Sequence, residues 1–170
     1  MAIERSVFLD ILKDSYSAYY SIAEVEEGEL PLAFRADYQA RDEQYFLSKN
    51  AKIWGNEKNE FAYVFSAPVF DPALVRRCVD WAWEDGMPRV KPHKEHQCTN
   101  IKVVFIADSL DEETKKAVKK QSRTKNYRFG LYGFSNLLTG AVDLSDSSSV
   151  TNSAGHELSP YFRKLFAARE

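Results

Sequence analysis

The chain has 170 residues, a length that suits one domain with a sizeable hydrophobic core. Hydrophobic residues make up 44 % of it, charged residues 28 %, and the formal net charge is -2, values that exclude a disordered chain and a fibrous repeat. A net charge this close to zero also argues against a protein whose whole surface binds nucleic acid or an anionic membrane, although it leaves room for a local basic face.

The sequence favours a reduced compartment and no membrane partner. No run approaches the ~20 apolar residues of a membrane span, and the amphipathic start of the chain is interrupted by Asp10, Lys13 and Asp14, which a signal peptide would not carry. Two cysteines do not make a disulfide framework. We therefore expect a cytoplasmic protein.

The first part of the chain predicts one helix followed by an antiparallel meander. Apolar residues recur at helical spacing over residues 3–22. Strand-like runs follow over 32–40, 44–54 and 60–67, and short turns are predicted between them at 41–43 and 55–59.

The second part alternates helices with strands. Asp71-Pro72 predicts the start of a helix that Gly86 ends, and the apolar stripe of this helix buries Cys78. The nearly continuous apolar run 101–107 predicts a central strand. The elements expected after it are a helix capped by Ser109 and Glu112, strands over 127–133 and 137–144, a serine-rich turn over 143–152, and a helix beginning at Ser159-Pro160.

These elements define the predicted fold class: a single α+β domain spanning residues 1–170, with the order αβββαβαββα. Because most neighbouring strands are joined by short turns, we expect a mixed, largely antiparallel sheet with flanking helices. The chain is rich in aromatic residues (14 %), which predicts a core of helices packed on that sheet or an aromatic partner surface.

The segment Lys91–Cys98 gathers candidate ligands between a helix and a strand. His93, Glu95 and His96 are the candidate binding residues here, and with Cys98 the two histidines offer the donor types that zinc prefers. The spacing lacks a convincing fourth ligand, so we expect no metal and no cofactor. The other interpretation is a histidine packed against Trp81 or Trp83.

A second candidate is a basic run without any intervening acid: Lys115, Lys116, Lys119, Lys120, Arg123, Lys125 and Arg128. Beside Tyr127 and Phe129, the side chains of Lys125 and Arg128 are suited to bind phosphates while the aromatic rings stack on bases. The alternative is a solvated helix face whose charge complements the helix dipole.

Over residues 3–107 the order αβββαβ resembles the PD-(D/E)xK nuclease superfamily. That resemblance implies an Asp on one strand and an acid-x-Lys on the next, which hold Mg²⁺ and support the attacking water. Here Glu60 is followed two residues later by Ala62 rather than by lysine. Other charged candidates stand at different spacings: Asp37, Glu43, Lys49 and Lys52. The sequence thus predicts a degenerate scaffold without catalytic residues.

The chain is also similar to a bacterial family of unknown function. This resemblance rests on 45–49, Ile53-Trp54, 91–96, 128–130, 142–144 and Thr151-Asn152. It implies no activity. Rich aromatics, few glycines and the lack of a complete catalytic set predict a non-catalytic intracellular binding or interaction domain. The sequence does not identify its partner, and the candidates are another protein, a second copy of the chain and nucleic acid. The alternative is a metal-dependent or nucleic-acid-acting enzyme on the nuclease-like scaffold.

Overall fold

A computed structural model of the chain describes residues 2–39 and 57–168. Within them, four helices flank one seven-stranded sheet. The elements in chain order are α1 (Arg5–Ser17), β1 (Ser21–Glu24), β2 (Leu32–Gln39), β3 (Glu57–Ala67), α2 (Pro72–Gly86), β4 (His96–Ala107), α3 (Glu112–Lys120), β5 (Thr124–Asn126), β6 (Phe134–Asp143), β7 (Ser148–Thr151) and α4 (Leu158–Ala167). None of these helices is long and apolar enough to cross a bilayer.

The sheet confirms the α+β class but is mixed rather than largely antiparallel. Its strand order is β1-β2-β3-β4-β6-β5, with β7 paired to β6. The three longest strands, β3, β4 and β6, pair in parallel, whereas the outer strands pair antiparallel. The reason is that α2 and α3 each carry the chain back across the sheet before the next central strand, and such a crossover makes the strands parallel.

The central strand was predicted correctly. Ile101, Phe105 and their apolar neighbours on β4 are fully buried. The run is continuously apolar because both faces of β4 are covered: α2 and α3 pack on the side of Ile101 and Phe105, and α1 and α4 pack on the side of Val104. Phe105 stacks on Phe65 of β3 at 5.8 Å between ring centroids.

Several predicted boundaries were wrong in the first and last thirds of the chain. The first helix ends at Ser17, and Ile22 lies in β1. The serine-rich turn contains β7, and α4 begins at Leu158 without a serine cap. Helix α3 is capped by Asp111 rather than Ser109, while the Asp71 cap of α2 is confirmed. The predicted strand 44–54 lies outside the described residues.

The predicted strand over 127–133 was also wrong. The strand lies earlier, at Thr124–Asn126, and residues 128–130 form a 3₁₀ turn. The alternation of aromatic and other residues is that of a strand, but the extended conformation ends at Arg128, the first of four residues with positive φ angles: Arg128, Phe129, Gly130 and Gly133.

Candidate ligand cavity and aromatic–basic loop

One face of the sheet is only partly covered, and this leaves a cavity. Helices α1 and α4 pack on the carboxyl-terminal halves of β3, β4 and β6, where the residues facing them are apolar. Towards the amino-terminal halves, polar side chains appear on the same face between apolar ones, among them Glu60, Asn100 and Asn136. Polar residues at these positions do not attract an apolar helix face, so the face stays open among the described residues.

The resulting space, here called the tyrosine-lined cavity, has two chambers. The outer chamber has a volume of about 650 Å³ and is lined by Lys58, Glu60, Gln97, Asn100 and the rings of three tyrosines, among other residues. The inner chamber has a volume of about 270 Å³ and lies against α1 and α4. The chambers share five lining residues: Tyr19, Tyr20, Glu60, Leu138 and Glu157. The outer chamber falls within the range of about 300–1,000 Å³ that is typical of ligand sites in proteins.

A buried lysine and a carboxylate form the floor of the cavity. Lys102 Nζ donates a hydrogen bond of 2.8 Å to Glu60 Oε2, and the Tyr20 hydroxyl donates to the same oxygen. The ammonium also lies 5.6 Å and 5.8 Å from the ring centroids of Tyr16 and Tyr20, within cation–π range. Burial, and next the negative charge of Glu60, raise the pKa of Tyr20 far above its ordinary value. Tyr20 is therefore a hydrogen-bond donor at every physiological pH.

The hydroxyl of Tyr16 has no hydrogen-bond partner within residues 2–39 and 57–168, although its residue is only 3 % exposed. The ring lines the inner chamber. Burial raises the pKa of this phenol well above its ordinary value, and the nearby tyrosines and Glu60 add to the effect. The neighbouring Tyr161 differs, because its hydroxyl donates to Ser15 Oγ at 2.9 Å. In the outer chamber, Gln97 Oε1 is likewise buried without a partner in the described part of the chain.

The charges that line the cavity cancel. Lys58 and Lys102 are the cations, and Glu60 and Glu157 are the carboxylates, among the described lining residues. A cavity with no net charge and several hydroxyl and amide groups is suited to an uncharged polar molecule rather than to an ion.

The histidine segment forms a structural junction. His93 Nε2 lies 2.9 Å from Glu57 Oε2, and the backbone N–H of Glu95 donates to His93 Nδ1. His96 is 2 % exposed; its Nδ1 lies 2.6 Å from the carbonyl oxygen of Tyr132 and its Nε2 2.8 Å from Thr99 Oγ1. Both ring nitrogens of His96 thus lie within hydrogen-bonding distance of other protein atoms.

No group of three metal-ligating side chains occurs in the described ranges. The expectation that a histidine packs on Trp81 or Trp83 was wrong: the ring neighbours of His96 are His93 and Tyr127.

The basic run divides into paired and unpaired cations. Lys115 lies 3.6 Å from Glu112 and 3.7 Å from Asp143, so it is held between acids. Ion pairs also join Lys116 to Glu113 and Arg123 to Asp80. The other four cations make no ion pair within the described residues: Lys119, Lys120, Lys125 and Arg128.

The connection between β5 and β6, residues 127–133, is here called the aromatic–basic loop. Arg128 and Phe129 are consecutive non-glycine residues with φ angles of 47° and 53°. Each such left-handed residue costs about 1–2 kcal/mol, and the apolar side chains of the loop tip gain no burial in return, since Phe129 is 104 % and Leu131 78 % exposed.

The carboxylates proposed for a nuclease site do not converge. Asp37 pairs with Phe61 in the sheet register and Tyr38 pairs with Glu60, so Asp37 and Glu60 point to opposite faces. Asp37 accepts a hydrogen bond of 2.8 Å from Arg89 Nη1 on the α2 side. The remaining candidates, Glu43, Lys49 and Lys52, lie outside the described residues.

Sequence reasoning missed the cavity residues. Its one signal was a pair of charged residues on neighbouring strands, Glu60 at the start of an apolar run and Lys102 inside another. The pairing is visible only once β3 and β4 are known to lie parallel with Ala62 opposite Lys102, which brings Glu60 and Lys102 to one face.

Fold and cavity together define an α+β domain with a mixed sheet and a ligand-sized cavity on one face. The chain belongs to the family described as a domain of unknown function (DUF8052), which matches residues 4–164. No curated protein and no solved structure matches it. Membership confirms the resemblance to a family of unknown function, whereas a bacterial origin and a kinship with nucleases stay hypotheses.

Proposed function

We propose that this chain is a non-catalytic binding domain whose tyrosine-lined cavity holds a small, uncharged, polar organic molecule. A cytoplasmic location is part of the proposal, and the two cysteines, free and buried, favour it. The alternative of a metal-dependent nuclease-like enzyme has less support, because Asp37 and Glu60 face opposite sides of the sheet.

The observation that carries the proposal is the buried, unpartnered hydroxyl of Tyr16. Buried polar groups are nearly always hydrogen-bonded, and one that is not raises the free energy of the folded state by about 1–3 kcal/mol. A ligand atom that accepts from this hydroxyl removes that cost on binding. Because burial raises the pKa of Tyr16, its hydroxyl stays protonated and can donate a hydrogen bond to a ligand acceptor, such as a carbonyl or a hydroxyl oxygen.

The chemical class follows from the other lining groups. Charges within the cavity cancel, so an ionic ligand would gain no net attraction and would lose its hydration. The rings of Tyr16, Tyr19 and Tyr20 offer aromatic faces to a flat or ring-shaped molecule. Asn100 supplies an amide that both donates and accepts, and Asn136 supplies an amide whose oxygen already accepts from Thr124 Oγ1.

The test is a fragment screen by protein-observed NMR. ¹⁵N-labelled protein is titrated with several hundred uncharged polar fragments, and amide shifts are mapped on the chain. Fragments that bind should shift the amides of Tyr20, Asn100 and Leu138. Tyr16→Phe, which removes one oxygen, should weaken these fragments about tenfold, equivalent to ~1.4 kcal/mol.

The matched control is Tyr132→Phe, since Tyr132 lines neither chamber. This variant should bind the same fragments as the wild type. A screen without hits, hits that map elsewhere, or equal losses in the two variants would each refute the cavity as the binding site.

A further inference from the structure

The aromatic–basic loop presents a rigid apolar tip to solvent. Phe129 and Leu131 project from it almost completely exposed. Five backbone hydrogen bonds close the loop: from Tyr127 to Gly133, Gly130 to Tyr127, Leu131 to Arg128, Tyr132 to Tyr127 and Gly133 to Gly130. The backbone that carries the exposed phenyl ring is therefore closed by hydrogen bonds, so a partner would have to order the side chain but not the turn.

The loop is also fixed to the sheet beneath it. His96, buried at the start of β4, contacts the Tyr132 carbonyl oxygen at 2.6 Å, and the Tyr127 hydroxyl lies 2.7 Å from Ser135 Oγ. Gly133 approaches β4 so closely that a Cβ would collide with the Gln97 carbonyl oxygen. The candidate residue His96 therefore joins the loop to β4.

The stretch of chain that carries this tip is basic. Residues 114–142 contain no Asp or Glu. Lys125 Nζ lies 5.7 Å from the centroid of the Tyr127 ring, and the guanidinium of Arg128 lies 5.0 Å from that of Tyr132. With Lys119 and Lys120 at the end of α3, four cations without an ion pair in the described residues stand within ten positions of one another.

We propose that the aromatic–basic loop and β5 bind single-stranded nucleic acid, with Phe129 stacked on a base and the four cations on phosphates. Stacking needs an exposed base face, which a duplex withholds. Beside the ring, the edge strand β5 carries Thr124, Lys125 and Asn126, all exposed. Their polar side chains suit a sugar–phosphate backbone, and the acyl chains of a membrane offer them no hydrogen bonds. The site shares no lining residue with the tyrosine-lined cavity, although Thr124 Oγ1 donates to Asn136 Oδ1, and Asn136 lines the outer chamber.

Fluorescence anisotropy with a labelled twelve-nucleotide oligothymidylate tests the proposal. We expect a dissociation constant in the micromolar range at ~50 mM KCl. Four phosphate contacts on a single strand give a slope of about -2.8 in the logarithmic salt plot, so affinity should fall ~50-fold between 50 and 200 mM salt. Changing Lys119, Lys120, Lys125 and Arg128 to Ser should flatten that slope.

Three variants at one position separate stacking from other contacts. Phe129→Ala should weaken binding roughly 5- to 100-fold, in line with the loss of one stacked base. Phe129→Leu should weaken it as much, since leucine has no π face, and Phe129→Trp should retain it. The side chain is fully exposed, so these variants should melt at the wild-type temperature.

Other results would overturn the inference. These are no binding at ~50 mM salt, equal affinity for a twelve-base-pair duplex, or wild-type affinity in Phe129→Leu. Binding to phosphatidylcholine–phosphatidylserine vesicles that survives in Phe129→Leu, with no binding to the oligonucleotide, would assign the loop to a membrane surface instead. Tyr16→Phe should leave the oligonucleotide affinity unchanged, so this test is independent of the cavity.

Discussion

Tyr16→Phe should make the ligand-free protein more stable. The residue is 3 % exposed and its hydroxyl has no partner in the described chain. Unfolding lets water hydrogen-bond this hydroxyl, so in the wild type the folded state alone bears the cost of leaving it unpaired, about 1–3 kcal/mol. Phenylalanine keeps the ring and its contacts with Tyr20 and Phe34. We expect the free energy of unfolding to rise by about 1–2 kcal/mol and the melting temperature by about 2–8 °C for a domain of this size.

The matched control is Tyr161→Phe, in the same chamber. The Tyr161 hydroxyl donates to Ser15 Oγ, so its removal should lower stability by about 0.5–1.5 kcal/mol. Urea unfolding followed by circular dichroism measures both variants, and equal m-values make the comparison valid. A loss of stability in Tyr16→Phe as large as in Tyr161→Phe would refute the reasoning, because it would mean that the Tyr16 hydroxyl is satisfied in the folded protein.

Three further outcomes test the core, the cavity floor and the buried thiol. Phe105→Ala should lower the free energy of unfolding by about 3–5 kcal/mol, measured in urea, because it leaves a cavity between the sheet and helices α2 and α3. Lys102→Met should lower the free energy of unfolding by about 1–3 kcal/mol, which is less than for a fully buried ion pair because the Glu60 side chain is 23 % exposed. The double variant Lys102→Met with Glu60→Gln should recover part of this stability. Burial raises the pKa of the Cys78 thiol from 9.0 to about 12. The unfolded thiol therefore loses its proton first, so this contribution to stability is intact below pH 9 and is lost as pH rises towards 12. Alkaline unfolding of Cys78→Ala should begin at higher pH than that of the wild type; an identical transition would contradict the assignment.

The pattern of apolar and capping residues along the sequence was enough to predict β4 and the start of α2, because both depend on residues that are close together in the chain. The run 101–107 is apolar on both faces, and such a strand is stable only at the centre of a sheet with helices on both sides. Asp71-Pro72 begins α2 as predicted because the cap is formed by neighbours in sequence, with the Leu74 N–H bonding to Asp71 Oδ1. Cys78 lies on the apolar stripe of that helix and is buried for the same reason.

The predicted strand boundaries were wrong where the backbone is not extended, although the alternation of residues is that of a strand. Residues 127–133 alternate like a strand, yet four positive φ angles, at Arg128, Phe129, Gly130 and Gly133, turn the chain instead. The position of His96 beneath this loop was also beyond prediction from the sequence. Its partner, the carbonyl oxygen of Tyr132, lies 36 positions away in the chain.

The sequence by itself determined that the chain forms an α+β domain, which strand is central and which helix faces are apolar, since these follow from periodicity over neighbouring residues. Only the tertiary structure decided the strand direction, the open half of one sheet face and the grouping of Tyr16, Tyr20, Glu60 and Lys102. The physical reason is that each of these depends on register between distant segments. A shift of one residue in β3 against β4 would send Glu60 to the other face, and the cavity floor would not form.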